Sequence, residues 1–193
     1  MRARLLRLIT IAVILILLSA CSASVDEVTA IREKVKSVPD ATYVATVTAS
    51  FPKREAEFVL KYARTRDGAG RISVINPAEV AGVALEVSDD GGTLTFDGAK
   101  LMTGELDERG TTPFSALPAL VRSWSEDEIS EAGKTRIFGR DAIMLVSRTE
   151  DDFGKTEYRT WFSRDTYSPL YAETFSDGRR VITCRFEGTE HGT

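Results

Sequence analysis

Thr42-Tyr43-Val44-Ala45-Thr46-Val47-Thr48-Ala49-Ser50-Phe51 alternates between two sets of side chains. In an extended chain Tyr43, Ala45, Val47, Ala49 and Phe51 share one face, and Thr42, Val44, Thr46, Thr48 and Ser50 share the other. A period of two sustained over this length reads as a strand. The alternation resumes in Ala56, Phe58, Leu60 and Tyr62, interleaved with Glu57, Val59, Lys61 and Ala63, after a connection at Pro52-Lys53. A third strand covers residues 71–75, after the turn Asp67-Gly68-Ala69-Gly70, and Pro77 stops it.

Short strand-like pieces follow at 83–87, 93–96 and 100–102, separated by Asp90-Gly91-Gly92 and Asp97-Gly98, whose glycines suit tight reversals. Residues 134–187 read as strands throughout: 134–138, 142–148, 155–163, 170–175 and 180–186. Their turns fall at Gly139-Arg140-Asp141, Asp151-Asp152-Phe153-Gly154, Ser168-Pro169 and Ser176-Asp177-Gly178. Such close spacing implies an antiparallel meander.

Two segments have helical spacing instead. Val28, Ile31, Val35 and Val38 recur every three or four residues, with Asp26 placed to cap the start and Pro39-Asp40 to end it. Phe114, Leu117, Leu120, Val121 and Trp124 follow Thr112-Pro113, with Pro118 expected to disturb the first turns. Two helices and about nine or ten strands define an α+β fold. The expected architecture is one strongly curved antiparallel sheet, with the helices packed on its concave face.

The N-terminus is of a different kind. Arg2, Arg4 and Arg7 precede the apolar run 8–18, broken only by Thr10, and Leu18-Ser19-Ala20-Cys21 closes it. A basic start, a short apolar stretch and small residues before a cut describe a secretory signal. A transmembrane anchor would need about 20 apolar residues. Leu-Ser-Ala-Cys resembles the lipobox of bacterial lipoproteins, in which the thiol takes a diacylglycerol. The expected division is a signal peptide at 1–20, the lipidated Cys21 and a tether at 21–24, and a single domain at 25–193. At about 0.8 kcal/mol per buried methylene, two or three acyl chains hold a protein on a membrane. The expected location is therefore the extracytoplasmic face of the cell membrane, by way of diacylglyceryl-Cys21.

The formal charge of −4 becomes −7 once the three signal arginines are removed. That acidic balance argues against a nucleic-acid partner. With Cys21 consumed, Cys184 is the remaining thiol and cannot form an internal disulfide. It reads either as a small buried hydrophobe on a strand or as an exposed site for an intermolecular bridge.

No catalytic constellation emerges. The single histidine, His191, lies beside the C-terminus, which removes His-based triads and metal clusters. The acidic groups Asp89-Asp90, Glu126-Asp127-Glu128 and Glu150-Asp151-Asp152 fall in turns or helix ends. An enzyme would need a polar cleft joining two of them. The glycine-rich pieces lack the Lys-Ser/Thr of a phosphate loop and read as hairpin turns. The expectation is a protein that is not an enzyme, with no cofactor and no metal.

Most aromatic residues fall on strands, where they fill a core or line an apolar groove. Val47, Phe58, Leu60, Trp161 and Leu170 are the candidate lining of such a groove.

The C-terminal half carries a run of phrases: Gly139-Arg140-Asp141-Ala142-Ile143-Met144-Leu145, Tyr158-Arg159-Thr160-Trp161-Phe162, Thr166-Tyr167-Ser168-Pro169-Leu170 and Asp177-Gly178-Arg179-Arg180-Val181. With Val80-Ala81-Gly82-Val83 and Leu94-Thr95-Phe96-Asp97-Gly98, these resemble the LolA/LolB-like superfamily of lipoprotein carriers over residues 40–187. Small size and lipobox are most similar to the LolA-like lipoproteins of Gram-positive spore formers, including the germination (GerS-type) group. The resemblance implies an incomplete β-barrel closed by helices. Carriers of the superfamily bind acyl chains in that hollow, and the germination type works through protein contacts, with a cell-wall amidase as partner.

Carriers of this superfamily are soluble, whereas this chain has its own anchor. The leading expectation is a lipid-anchored, non-enzymatic envelope lipoprotein that binds a protein partner through its curved sheet, as an accessory in cell-wall or spore-cortex processing. The alternative is a carrier or acceptor of lipid or lipoprotein acyl chains.

Overall fold

The computed structural model describes residues 23–38, 40–65, 70–88, 91–104 and 106–191. The lipobox with Cys21, Pro39, most of the 67–70 turn and Asp89-Asp90 lie outside these residues. No helix among the described residues is long and apolar enough to cross a membrane.

Helix α1 (Val25–Ser37) starts at Ser24 and not at Asp26. Ser24 Oγ accepts from the Glu27 N–H at 3.2 Å, and Glu27 Oε2 accepts from the Ser24 N–H at 3.0 Å. This reciprocal box satisfies two otherwise orphaned donors. Asp26 instead sits in the first turn, where its charge still suits the helix dipole. Ile31 and Val35 are buried, as their spacing requires. The Glu27 carboxylate also meets Lys134 at 3.4 Å and Arg164 at 3.2 Å.

The strands are β1 (Ala41–Phe51), β2 (Arg54–Arg64), β3 (Gly70–Asn76), β4 (Ala84–Ser88), β5 (Gly91–Phe96) and β6 (Ala99–Gly104). After helix α2 (Pro113–Ser125) come β7 (Ile129–Ile137), β8 (Arg140–Asp151), β9 (Gly154–Ser163), β10 (Pro169–Ser176) and β11 (Arg179–His191). All eleven belong to one sheet in the order β6-β5-β4-β3-β2-β1-β11-β10-β9-β8-β7. Each of the three short pieces between residues 84 and 104 is a complete strand, so the count exceeds the nine or ten expected. Every neighbouring pair is antiparallel, and every pair but one joins strands adjacent in sequence. The exception is the seam of β1 with β11, where Val47 lies opposite Cys184. The sheet is open, with β6 and β7 at its two edges.

Both helices lie on one face, here called inner. In β1 the inner residues Ala41, Tyr43, Ala45, Val47 and Ala49 are all buried, and the residues between them are not. One inner row runs across Ala132, Leu145, Thr160, Ala172, Cys184, Val47 and Phe58. Above this part of the sheet, α2 buries Leu117, Leu120, Val121 and Trp124. Burying each large side chain contributes about 1.5–3 kcal/mol.

Thr112 caps α2 in a box with Ser115, and Pro113 occupies the first turn. Pro118 does not break the helix, which runs unbroken to Ser125. Its missing N–H removes a single intrahelical bond, and burial of the helix on the sheet outweighs that loss.

Candidate functional site

At one end of the sheet the inner face is nearly bare. The row that begins at Arg64 continues through Gly70, Val87, Gly92 and Gly104. Three residues of this row have no side chain, and Arg64, Gly70 and Val87 of it face α2 across open space. The Tyr62 ring lies directly on Gly70, where an added Cβ would be 2.6 Å from the ring. A cleft of about 680 Å³ results, within the size range of small-molecule sites.

The cleft is lined by Ser115, Pro118, Ala119 and Val121 of α2, by Tyr62 and Val87 of the sheet, and by Leu106. Charged groups also line it. The Arg122 guanidinium donates to the Glu108 carbonyl at 2.8 Å and meets the Glu108 carboxylate at 3.5 Å. Asp107 accepts from the Thr111 N–H at 2.9 Å, the Thr111 hydroxyl at 2.5 Å and the Arg109 N–H at 3.2 Å. Burial pushes the Asp107 carboxyl up, but these hydrogen bonds outweigh it and hold the group below its ordinary value. Lys36, Arg64 and the Tyr62 hydroxyl also line the cleft, and none of them hydrogen-bonds or forms an ion pair with a described residue.

The outer face of the β7–β11 half has a different character. Its central row is Gly133, Met144, Trp161, Tyr171 and Arg185. Trp161 and Tyr171 have ring centroids 5.5 Å apart, and Phe138 meets the Tyr171 ring edge-on at 5.8 Å. The Arg185 guanidinium lies over Phe138, 4.6 Å from its centroid. Phe138 is 56% exposed, far more than a structural aromatic needs to be. Nearby arginines are neutralised: Arg159 and Arg148 by Glu157 at 2.6 Å each, and Arg180 by Glu173 at 2.7 Å. Arg185 has no carboxylate within ion-pair distance among the described residues.

The structure brings together Val47, Phe58 and Leu60, on the inner face of β1 and β2. Val47 and Leu60 are fully buried and Phe58 packs against the same core, so they lie within packed side chains and not along the cleft. Trp161 points to the opposite face, among the outer aromatics. Leu170 sits in the register irregularity between Pro169 and Tyr171, half-buried and apart from the core cluster. Cys184 is fully buried on the inner row, where burial pushes its thiol far up and keeps it neutral. A bridge between molecules through this thiol would require the sheet to open.

Of the described residues in the acidic groups, Glu126 lines the cleft; Glu150, Asp151 and Asp152 lie exposed in the β8–β9 turn region. Among the described residues no group of three or more His, Cys, Asp or Glu is placed to hold a metal.

The cleft and the patch both rest on residues that sequence reading passed over. Gly70, Gly91 and Gly92 read as turn residues but belong to β3 and β5. The signal for them was their spacing, which places Gly70 and Gly92 on the same face as the neighbouring inner residues. Phe138 ends one predicted strand and Arg185 lies within another, and neither carries a pattern of its own; only the register across β9, β10 and β11 brings them near Tyr171.

No protein-family model matches the chain, and no curated protein sequence matches it. Solved structures do. An uncharacterized conserved protein from Thermus thermophilus is similar at 12% identity over 89% of both chains, with a TM-score of 0.51. A LolA superfamily protein from Nitrosomonas europaea is similar at 10% identity over 86% of this chain and 94% of that one, with a TM-score of 0.44. A chain in the complex of the CwlD amidase with the GerS lipoprotein, from Clostridioides difficile, is similar at 17% identity over 89% and 98%, with a TM-score of 0.46. At these identities the likeness concerns the fold. The α+β architecture expected from the sequence, an open antiparallel sheet with two helices, is the one observed.

Proposed function

We propose that the protein is a lipid-anchored, non-enzymatic envelope lipoprotein that binds a protein partner through the outer face of its sheet. The observation that carries this reading is the patch of Phe138, Tyr171, Trp161 and Arg185. It combines an exposed aromatic ring with a cation that has no carboxylate of its own among the described residues. Aromatic residues and arginine are the side chains that dominate binding energy at protein interfaces. The complementary partner surface carries an acidic group for Arg185 and an apolar side chain for the aromatic ledge. The sequence resemblance to germination lipoproteins suggests a cell-wall enzyme, an amidase, as that partner. The anchor is Cys21, whose thiol takes a diacylglycerol and whose amine is freed by removal of residues 1–20.

The test is site-directed photocrosslinking in the parent cells, with a photoreactive phenylalanine at position 138. A discrete adduct that disappears with Arg185→Glu supports the patch as an interface. Crosslinking no stronger than at Thr48, also off the inner face, sinks it.

A second reading has its own observation. The 680 Å³ cleft is large enough for an amphiphile, which supports a carrier or acceptor role. The lining of such a site is Tyr62, Val87, Leu106, Pro118 and Val121, in place of Val47, Phe58, Leu60, Trp161 and Leu170.

A further inference from the structure

The bare end of the sheet leaves three hydrogen-bond donors on the cleft without acceptors among the described residues. Lys36 comes from the last turn of α1, Arg64 from the inner row of β2, and Tyr62 from one inner position earlier on the same strand. None of them has a described hydrogen-bond or ion-pair partner. The other cation of the lining, Arg122, is committed to Glu108. Asp107 is committed to its own loop, which leaves Glu126 as the carboxylate in the lining without a cation within ion-pair distance among the described residues.

Arg64 is half-buried, where an unmatched guanidinium is costly. It acts on both Tyr43 and Tyr62, opposing the burial that raises their phenols, so its charge is directed into the same corner. Two cations without a carboxylate among the described residues, and a hydroxyl donor, line one cleft from a helix and a strand, the donor set of an anion site in an otherwise acidic protein.

We infer that the cleft takes the phosphate group of an amphiphile, held by Lys36, Arg64 and Tyr62, with its apolar part along Val87, Leu106, Pro118 and Val121. A bare acyl chain would offer neither cation an acceptor. A tetrahedral phosphate offers acceptors in several directions, as donors on separate elements require. This inference rests on the cleft reading above and narrows it to a charged class. A membrane phospholipid and a water-soluble phosphate compound supply the same chemistry.

Calorimetric titration of the full-length lipoprotein in a non-ionic maltoside detergent tests it, with detergent alone as the blank. The probes are dihexanoylphosphatidylglycerol, dihexanoylglycerol and glycerol phosphate. The phosphatidylglycerol is expected to bind at least about ten-fold more tightly than the dihexanoylglycerol. Arg64→Gln and Lys36→Gln should each lose about ten-fold in that affinity, and Arg64→Lys should keep most of it. Lys36 is exposed, so its variant tests the site even where Arg64→Gln fails to fold. Glycerol phosphate binding as tightly as the phosphatidylglycerol supports the anion site and assigns it to soluble phosphates. Equal affinity for dihexanoylglycerol, unchanged in the variants, overturns the phosphate site and leaves the acyl-chain reading standing. Binding of none of the probes overturns both.

Discussion

The indole N–H of Trp124 donates to the Thr160 hydroxyl at 2.9 Å, with both residues 2% exposed. Around that bond the Trp124 ring meets Tyr43 of β1, Phe162 of β9 and Phe186 of β11, with centroids 5.7, 5.2 and 5.7 Å away. One side chain thus keys α2 to strands on both sides of the β1–β11 seam.

Trp124→Phe keeps much of the ring packing but leaves the Thr160 hydroxyl buried without the indole donor. It should cost about 1–3 kcal/mol, and Trp124→Ala about 3–5 kcal/mol. Adding Thr160→Val to Trp124→Phe should recover part of the loss, because both polar partners are then gone. Urea unfolding of the parent, Trp124→Phe, Thr160→Val and the double variant measures the coupling; strict additivity would mean that the hydrogen bond contributes nothing.

Cys184 should be inert in the native protein. Its side chain is fully buried between Ala172 and Val47, and its thiol stays protonated. Ellman's reagent should react in urea but not in buffer, and non-reducing electrophoresis of native protein should show no disulfide-linked dimer. Rapid labelling under native conditions would show that the inner row opens.

Gly70 has no room for a side chain. An alanine Cβ there would stand 2.6 Å from Cε2 of Tyr62, so the ring must swing into the cleft. Gly70→Ala should lower stability by about 1–3 kcal/mol and shrink the cleft. Combining it with Tyr62→Ala should relieve the clash. Thermal melts of the two proteins check this, and a Gly70→Ala protein with unchanged melting would show that the ring is already free to move.

Stability should fall at both ends of the pH scale. The Glu27 carboxyl is held below its ordinary value of 4.5, chiefly by the Ser24 N–H and then by Arg164 and Lys134. A lowered carboxylate contributes stability above its ordinary value and loses it as pH falls through the folded value. Glu27→Gln should therefore flatten the acid limb of a stability–pH curve. At the other end, burial pushes the Tyr158 phenol from 10.0 up to about 12, and Arg122 opposes the shift only in part. The folded state keeps a proton that the unfolded chain releases, so stability declines as pH rises from about 10 through that value. Tyr158→Phe should flatten the alkaline limb. Limbs that are identical in variant and parent would remove these groups as the cause.

Cys21→Ser should move the protein from the membrane fraction to the soluble envelope fraction, since acylation needs the thiol. Fractionation of parent cells, with mass analysis of the N-terminal peptide, reads this directly. A Cys21→Ser protein that stays with the membrane would place the anchor elsewhere.

The alternation in residues 42–51 and 56–63 marked the two central strands and their buried face, because a period of two survives in any sheet with one face covered. Three- and four-residue spacing marked both helices for the same kind of reason. What sequence could not show was register between distant strands. Thr160 and Phe162 turn inward and are buried, whereas Trp161 between them points outward to the Tyr171 ring. An aromatic side chain suits either face, so residue type alone did not separate Trp161 from a groove lining. The cleft was invisible for a related reason, since its lining includes Gly70 and Gly91, and a glycine near a turn already has a sufficient explanation.

The β1–β11 seam has a consequence for how the protein comes into being. Hairpins on either wing can form as soon as their own residues are available, but the middle of the sheet needs strands more than a hundred residues apart in the chain. On the export route proposed above, the polypeptide leaves the cytoplasm N-terminus first. Its second strand can pair at once, whereas β1 must wait with one bare side until β11 has been delivered. Maturation is therefore decided at the last moment of translocation. Any chain released short of β11 carries the unpaired edge of β1 into the envelope, as bait for aggregation or for a quality-control protease.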